Sequence, residues 1–471
     1  MRPPAVHRAT VLTLLATAVA GSVGVWLAGR IAPPAARSLP PARANVLLIS
    51  IDTLRADHLS VYGYPRPTSP TLEHLASEGV VFDRYYYVGG GTLPSHMSMM
   101  TSLYPATHGI DPDHPNRLPE QWTTLAEVLR GAGYATAAFV DGGWMAAKFG
   151  FDQGFDLYDD AGVHWQEMLP RAEQWLRDHS PGPFFLFLHT YDVHSQFSDR
   201  RPYDCPGNDE LFFAHQPPVG FDGCRDGLCA TSLLQHVNQE VRAGDTTAEA
   251  FFTPAEREYI TDLYDGCLRY TDRRLNEVLG WLSELAVDDR TIVVVTSDHG
   301  EEMGEHGMYL HEQGGYEEYA HIPLVLRLPH RQLAGKRIQG LAALVDLMPT
   351  LLAITGLATP AEAQGHSLLP AMFEDRTVRN DVHMYSVLRT ERWKYFSDER
   401  RLFDLAIDPS ERGNLWRVRP AKVAAVERRV RDLIAKDHLA RQMLLGGLGS
   451  ESPANLSPEE IERLRALGYL K

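Results

Sequence analysis

Positive charge is scarce in this chain. Lys and Arg number 45 against 61 Asp and Glu, so the formal net charge is −16. An acidic protein of this kind is a poor partner for nucleic acid or for an anionic membrane surface. The charge does not exclude an anionic substrate, because a bound metal ion inverts the field around it. We therefore expect no nucleic-acid partner and keep small anionic substrates open.

Cysteine is also rare, and no Cys-x-x-Cys pair is present, which disfavours a zinc site built from thiolates. The four cysteines lie close together in the chain, at Cys205, Cys224, Cys229 and Cys267. An even number in an exported protein indicates two disulfides, and three pairings are open.

Long apolar runs are absent except at the N-terminus, where Val11–Gly29 follows the basic residues Arg2, His7 and Arg8. This run is either a secretory signal, with a cleavage site near Ala18–Ala20, or a retained membrane anchor. In both cases the basic residues stay inside, so the bulk of the chain is expected to lie outside the cytoplasm. We expect a periplasmic, extracellular or membrane-anchored protein.

Short apolar runs that end in a polar residue recur along the chain and predict buried parallel strands. The clearest are residues 45–52, 183–189 and 291–297. Further strands are predicted at 80–88, 135–140, 322–328, 382–396 and 401–405, and helices at 71–78, 121–131, 166–178, 254–285, 344–354, 421–436 and 458–467. Their alternation predicts an α/β fold with a large, mainly parallel sheet flanked by helices, followed by a small C-terminal α+β subdomain.

The same pattern divides the chain into three parts. Residues 1–44 form the signal or anchor and a linker rich in Pro and Ala, residues 45–375 a catalytic domain, and residues 376–471 the C-terminal subdomain and helices. Residues 195–253 are polar, weakly periodic and contain three of the four cysteines, which predicts an insertion or cap beside the site.

The stretch Gly90–His96 is the centre of the predicted site. Its glycines permit close approach of the backbone to a ligand, and Pro94 suits the first turn of a helix. Thr92 is then expected at or just before the helix N-cap, where the helix dipole attracts anions. For an isolated Thr-x-Pro, simple helix capping is the better interpretation. The polar clusters at the ends of the predicted strands, described next, favour a role for Thr92 in the site instead.

Three predicted strands end in groups that bind metals or transfer protons, and ligands of open α/β sheets bind beyond these strand ends. Asp52 follows the first strand, His189, Asp192 and His194 follow or end the second, and Asp298 and His299 follow the third. Together, Asp52, Thr92, Asp298 and His299 make a plausible shell for a divalent cation that activates the Thr92 hydroxyl.

His194 and His311 are the candidate acid–base or oxyanion-contacting groups. For His311, a solvated loop histidine is an equally good interpretation. A second metal held by Asp192, His194 and a later histidine is the minority hypothesis. Ser95 is a weaker candidate nucleophile, and the absence of a Gly-x-Ser-x-Gly elbow argues against a serine esterase.

These motifs resemble those of the sulfatases, within the alkaline-phosphatase-like superfamily. The resemblance runs from about residue 45 to 415 and rests on the segments NVLLISIDTLRADHLSVYGY, GTLPSHMSMMTSLYPATHG, PFFLFLHTYDVH, VVVTSDHGEEMGEHG, LVDLMPTLLAITG, RTERWKYF and RLFDLAIDPSERGNL. It implies that Asp52, Asp298 and His299 are metal ligands and that Thr92 is both a ligand and the nucleophile. It also implies that His194 and His311 contact the transferred group or the leaving oxygen.

The chain departs from the sulfatase pattern at several positions. The family uses Cys or Ser, oxidised to formylglycine, where this chain has Thr92, which cannot form that aldehyde. His96 stands in place of the usual Arg and is counted among the candidate catalytic residues, and Thr53 stands where many members have a second Asp. No lysine occurs near His311, and His194 is followed by Ser195-Gln196.

The resemblance and its departures together predict an exported, metal-dependent hydrolase of phosphate or sulfate esters. Its substrate is expected to be a small anionic ester, with a lipid or glycan head group as one option. One divalent ion is expected, with zinc or manganese favoured and calcium or magnesium as alternatives. The alternative functions are a sulfuric ester hydrolase without formylglycine, a phosphoethanolamine-type transferase, and a catalytically silent binding protein. A single apolar N-terminal run counts against the transferase.

Overall fold

The computed structural model describes residues 43–110, 116–162, 164–195, 203–206, 212, 224–225, 228–229, 231–311, 314–445 and 457. The predicted signal or anchor, the predicted helix at 458–467 and much of the predicted cap lie outside these residues. Among the helices within the described ranges, none is both long enough and apolar enough to cross a bilayer.

A nine-stranded sheet forms the centre of the fold. The strands of the chain are β1 (Asn45–Ile51), β2 (Val80–Tyr86), β3 (Ala135–Phe139), β4 (Leu157–Asp159), β5 (Phe184–Thr190), β6 (Cys224–Arg225), β7 (Leu228–Cys229), β8 (Thr291–Thr296), β9 (Glu302–Met303), β10 (Tyr309–Leu310), β11 (His321–Ile322), β12 (Leu324–Arg327), β13 (Lys336–Ala343), β14 (Asp381–Met384), β15 (Val387–Thr390), β16 (Trp393–Phe396) and β17 (Arg401–Asp404).

The order of the main sheet is β11-β2-β12-β8-β1-β5-β3-β4, with β13 pairing to β2. The strands β8, β1, β5, β3 and β4 run parallel to one another. β12 runs antiparallel to both β8 and β2. The mainly parallel sheet predicted from the sequence is confirmed.

Helices cover both faces of this sheet, which explains why its central strands are continuous apolar runs. The helices are α1 (Pro70–Ser77), α2 (Thr92–Thr101), α3 (Pro105–His108), α4 (Leu125–Gly131), α5 (Trp165–His179), α6 (Thr231–Ala243), α7 (Ala248–Phe251), α8 (Pro254–Glu284), α9 (Glu317–Ala320), α10 (Leu347–Thr355), α11 (Leu369–Glu374) and α12 (Pro420–Leu445). Short 3-10 turns occur at Ala56–His58, Ser60–Tyr62, Gly143–Met145, Ala147–Phe149, Asp288–Arg290, Pro329–Arg331 and Leu344–Asp346.

The side chains of β1 alternate between two hydrophobic clusters, one on each face of the sheet. Val46 and Leu48 join the cluster that contains residues of α2, α4 and α10. Leu47, Ile49 and Ile51 join the cluster that contains residues of α1, α5 and α8. The sheet is therefore the middle layer of three, and residues of β1 with even numbers face α2.

A four-stranded antiparallel sheet, in the order β14-β15-β16-β17, follows in the C-terminal part. Leu388, Tyr395 and Leu402 from this sheet pack with Val423, Val426 and Val430 of α12. The predicted C-terminal α+β subdomain is confirmed.

Two details differ from the sequence predictions, and one disulfide pairing that the sequence left open is assigned. The helix predicted at 121–131 begins only at Leu125, because Thr124 caps it and forms a reciprocal capping box with Glu127. The predicted cap is not only loop, since the described residues include α6 and α7. Cys205 and Cys267 are joined in a disulfide. Cys224 and Cys229 are backbone partners in the β6–β7 pair, and a second disulfide stays a prediction.

Candidate active site

The register of the parallel strands brings the predicted site residues to one level. Ser50 of β1 pairs with His189 of β5 on one side and with Thr296 of β8 on the other. Asp52 and Asp298 each lie two residues beyond these paired positions. Both carboxylates therefore emerge at the same edge of the sheet, as predicted for strand ends in an open α/β fold.

Thr92 reaches this edge from the start of α2, which packs on one face of the sheet. The N-cap is Gly91, with φ of 73°, and Thr92 is the first helical residue rather than the cap itself. This corrects the predicted position by one residue, because the sharp turn needs the left-handed backbone that glycine adopts easily. The Thr92 side chain lies within the positive end of the helix dipole.

Asp52, Asp298 and His299 form a cluster whose ligand atoms all lie within 4.8 Å of one another. The Thr92 hydroxyl oxygen lies 3.3 Å from Nε2 of His299. Nε2 of His299 is also 3.4 Å from Oδ2 of Asp298. The structure thus brings together all four residues predicted to surround a metal ion.

The donor atoms of this cluster fit a divalent cation. Asp52 and Asp298 are fully buried, and no Lys or Arg in the described ranges forms an ion pair with either of them. Oδ1 of Asp52 has no hydrogen-bond partner among the described residues. Burial, and then the charge of Asp298, raise the pKa of Asp52 well above its usual value. Two buried carboxylates need a cation or a proton, and a divalent ion supplies the charge.

The hydrogen bonds of His299 decide which of its nitrogens faces the site. Nδ1 donates to the carbonyl oxygen of Gly300 at 2.8 Å. Nε2 therefore carries the lone pair, and it points toward Thr92 and Asp298. Burial lowers the pKa of His299, which keeps the ring neutral and able to act as a ligand or proton acceptor.

His96 lies on the inner side of Thr92, one helical turn further along α2. Its Nδ1 donates to the Thr92 carbonyl oxygen at 2.9 Å, and its Nε2 lies 2.9 Å from the Ser50 hydroxyl. The side chain is fully buried. His96 was predicted among the catalytic residues, and it contacts the Thr92 backbone, Ser50 and the ring of His189, with its Nδ1 3.6 Å from Oδ2 of Asp298.

His194 and His311 face each other at the other side of the cluster, with 5.0 Å between their ring centroids. The His311 ring is also 5.5 Å from that of His299. His194 is buried and donates from Nδ1 to the Ser195 carbonyl oxygen at 2.7 Å, whereas the side chain of His311 keeps 15% of its surface exposed. Burial lowers the pKa of His194 well below its usual value.

Two contributing side chains, Glu301 and Tyr319, were absent from the predicted site, and His189 was predicted only as one of the polar groups at a strand end. His189 lies with Nε2 3.3 Å from Oδ2 of Asp52, and its position as the polar end of a buried strand was the available signal. Glu301 places Oε2 3.7 Å from Nδ1 of His311 and belongs to the same Asp-His-Gly-Glu run as Asp298. Tyr319 stacks on His299, and nothing in its sequence context indicates this.

A mainly parallel sheet with carboxylates and histidines at its strand ends, and a threonine at the start of the adjoining helix, defines an ester hydrolase of the alkaline-phosphatase-like superfamily. The family model described as Sulfatase matches residues 44–357. The model described as N-sulphoglucosamine sulphohydrolase, C-terminal, matches residues 304–438. The chain therefore belongs to the sulfatase family, and the resemblance in its motifs is confirmed. Members of this family generally bind a divalent metal.

Individual relatives agree with this assignment. Human (Homo sapiens) arylsulfatase K is 32% identical over 439 residues, which cover 79% of this chain and 78% of the relative. A solved structure in complex with its substrate D-glucosamine-2-N,6-O-disulfate has a TM-score of 0.65 at 20% identity and covers 85% of this chain and 98% of that chain. The phosphonate monoester hydrolase of Agrobacterium radiobacter has a TM-score of 0.62 at 22% identity, and the match covers 84% of this chain and 96% of that chain. These two structures share the fold.

Proposed function

We propose that this chain is a metal-dependent hydrolase of phosphate or sulfate esters that uses Thr92 as its nucleophile. The observation that carries this proposal is the position of the Thr92 hydroxyl, 3.3 Å from the lone-pair nitrogen of His299. The hydroxyl also lies at a helix start, beside two buried carboxylates. This combination suits attack by a threonine on an anionic ester.

The metal ligands in this proposal are Asp52, Asp298, His299 and Thr92. A bound divalent cation lowers the pKa of a coordinated hydroxyl and neutralises charge on the transferring oxygens. The mixture of imidazole and carboxylate donors favours zinc or manganese, with calcium or magnesium as alternatives.

Each side chain of the site has its own role in the proposed reaction. The Thr92 oxygen releases its proton to solvent and forms a bond to phosphorus or sulfur, while the bond to the ester oxygen breaks. Backbone N–H groups in the first turn of α2 hold the anionic oxygens. A protonated His311 gives its proton to the leaving oxygen, with His194 as an oxyanion contact. Water next hydrolyses the Thr92 ester and returns one proton to His311 and one to Thr92.

The substrate class in this proposal is a small anionic ester, with a glycan or lipid head group as the leaving part. Two relatives support this choice by their names, since one is an arylsulfatase and another was solved with a sulfated glucosamine as its substrate. A third relative is a phosphonate monoester hydrolase, which keeps phosphorus esters open.

Export of the chain, with residues 1–44 as signal or anchor and residues 45–375 as the catalytic domain, is part of the same proposal. The Cys205–Cys267 disulfide supports it, because disulfides persist in oxidising compartments.

Kinetics on a panel of substrates test the nucleophile. Wild type, Thr92→Ser and Thr92→Ala are compared on aryl sulfate, phosphate monoester, phosphate diester, phosphonate monoester and glucosamine 6-sulfate. We expect Thr92→Ala to lose at least about 10³-fold in kcat/KM and Thr92→Ser to retain measurable turnover. Thr101→Ala is the matched control, because Thr101 is a buried threonine of the same helix that donates only to the Met97 carbonyl oxygen.

Other outcomes separate the alternatives. Turnover that survives Thr92→Ala places the nucleophile elsewhere, on water or Ser95. Product transfer to an added acceptor alcohol, in preference to water, indicates a transferase. Bound metal without turnover on any substrate of the panel indicates a binding protein.

A further inference from the structure

We infer that Asp52, His96 and His189 form a second divalent-cation site, which shares Asp52 with the cluster of Asp52, Asp298 and His299. The inference deepens the proposed function and rests on it. One carboxylate oxygen of Asp52 and one ring nitrogen of each histidine all lie within 4.8 Å of one another. All three side chains are fully buried.

The backbone sets the two histidines opposite each other. His189 pairs in register with Ser50, so its side chain extends from the face of the sheet that carries α2. His96 follows Thr92 by four residues on α2 and therefore lies on the same side of that helix. The two rings meet edge to face, with centroids 4.9 Å apart and an angle of 83° between their planes.

Two polar atoms in this group lack the hydrogen bonds that burial normally requires. Oδ1 of Asp52 and Nδ1 of His189 have no hydrogen-bond partner in the described part of the chain. The other nitrogen of His189, Nε2, lies 3.3 Å from Oδ2 of Asp52. Buried polar groups are almost always satisfied, and a cation bound to Asp52 satisfies its orphaned carboxylate oxygen.

His96 is held in the orientation that metal-binding histidines usually have. Its Nδ1 donates to a backbone carbonyl oxygen, that of Thr92, which leaves the lone pair on Nε2. At present this nitrogen is 2.9 Å from the Ser50 hydroxyl, a single rotatable group. A cation at Nε2 therefore replaces only one hydrogen bond.

Two imidazoles and a carboxylate are the protein ligands of many catalytic zinc sites, which keep a further position open. The set also accepts manganese, whereas calcium and magnesium prefer oxygen ligands. Asp52 would then serve both sites, and a second bound cation would supply further positive charge to the transferring group. This second charge favours a phosphate monoester, with its two negative charges, over a singly charged sulfate ester.

Metal counting tests the second site. The purified protein is stripped with a chelator, reloaded with Zn²⁺, desalted and analysed for metal by mass spectrometry. We expect about two ions per chain for wild type and about one for both His189→Asn and Asp298→Asn. His383→Asn is the matched control, since His383 is a buried histidine 2.9 Å from Asp437 in the C-terminal part, and it should keep both ions.

Each count decides between the two proposals. One ion in wild type that His189→Asn retains and Asp298→Asn loses overturns the second site and leaves the proposed function intact. No ion in wild type overturns both. Circular dichroism and thermal unfolding check that the variants fold, and His96→Asn replaces His189→Asn if that variant does not.

Electron paramagnetic resonance of the Mn²⁺-loaded protein gives an independent readout. Two Mn²⁺ ions that share Asp52 are magnetically coupled, so wild type should show a broadened signal. His189→Asn should restore the six-line spectrum of an isolated ion. A six-line spectrum in wild type at saturating Mn²⁺ overturns the inference.

Discussion

The phenol ring of Tyr319 lies flat against the imidazole of His299, with 4.8 Å between the ring centroids and 7° between the ring planes. His299 also donates from Nδ1 to the Gly300 carbonyl oxygen. The stack and the hydrogen bond leave the imidazole one orientation, in which Nε2 faces Thr92 and Asp298. Tyr319 comes from α9, more than 20 residues after β8, and only the fold brings it here.

Loss of this stack should weaken metal binding. Tyr319→Leu removes the flat surface and lets the imidazole rotate, so we expect the metal Kd to rise by about 10-fold or more. Tyr319→Phe preserves the stack and should bind metal as wild type does. Competition with a chromophoric chelator measures both values. Equal affinity of the Leu and Phe variants would show that the stack does not orient His299.

His311 should matter most for substrates with poor leaving groups. The Glu301 carboxylate, 3.7 Å away, stabilises a positive charge on His311, which suits it to donate a proton to the leaving oxygen. We expect His311→Gln to lower kcat/KM by about 10²–10⁴-fold for alkyl esters and much less for nitrophenyl esters.

The dependence of kcat/KM on leaving-group pKa checks this assignment. A series of aryl esters should show a steeper slope for His311→Gln than for wild type. His194→Gln is the comparison. A neutral His194 only contacts an oxygen, so its loss should lower kcat/KM by the same factor for every ester of the series. Equal slopes in wild type and His311→Gln would refute the role of His311 as acid.

Asp141 should make stability depend on pH. Burial, and then the charge of Asp192, raise its pKa from 3.8 to about 7. An acid with a raised folded-state pKa contributes stability that is complete below its unfolded pKa and is lost as the pH rises through about 7.

Asp141→Asn removes the buried carboxyl group and its dependence on pH, and it keeps an acceptor for the N–H of Tyr191 and the hydroxyl of Thr190. Relative to wild type, the variant should be more stable at pH 8 by about 2–4 kcal/mol and should differ little at pH 4. Thermal unfolding at both pH values measures the difference. An advantage of the variant at pH 4 that is as large as at pH 8 would contradict this account.

The Cys205–Cys267 disulfide should stabilise the protein through its unfolded state. The two cysteines are 62 residues apart in the sequence, so the bond closes a long loop and restricts the unfolded chain. Replacing both cysteines by serine should lower the free energy of unfolding by about 2–4 kcal/mol. Thermal unfolding of the double variant measures the loss, and a melting temperature equal to that of wild type would contradict it.

Gly90 should be indispensable for the loop that carries Thr92. Its φ is 90°, and an added Cβ would lie 2.7 Å from the ring of Pro94. Gly90→Ala should therefore displace Thr92 and reduce turnover by about 10²-fold, since small misplacements of reacting groups are costly. Gly244→Ala is the control, because Gly244 also has positive φ, at 81°, and open space around it. Similar losses in both variants would indicate general strain.

Much of the fold was predictable because the main sheet is buried on both faces. Apolar runs such as 45–52 and 291–297 are unambiguous strands for that reason, and the strands observed there are Asn45–Ile51 and Thr291–Thr296. The start of α4 was missed by four residues, because Gln121–Thr123 continue the polar and apolar pattern without joining the helix. Helix ends depend on capping side chains such as Thr124 more than on periodicity.

The sequence by itself determined the sulfatase family, the parallel α/β fold and the residues at the strand ends, since these depend on local apolar runs and short motifs. Only the tertiary structure decided how those residues meet: His96 beneath Thr92, His189 beside Asp52, and Tyr319 against His299. Strand register and helix packing set these contacts, and they join residues that are far apart in the chain. Local sequence patterns do not encode such distances, because they arise from the packing of the whole core.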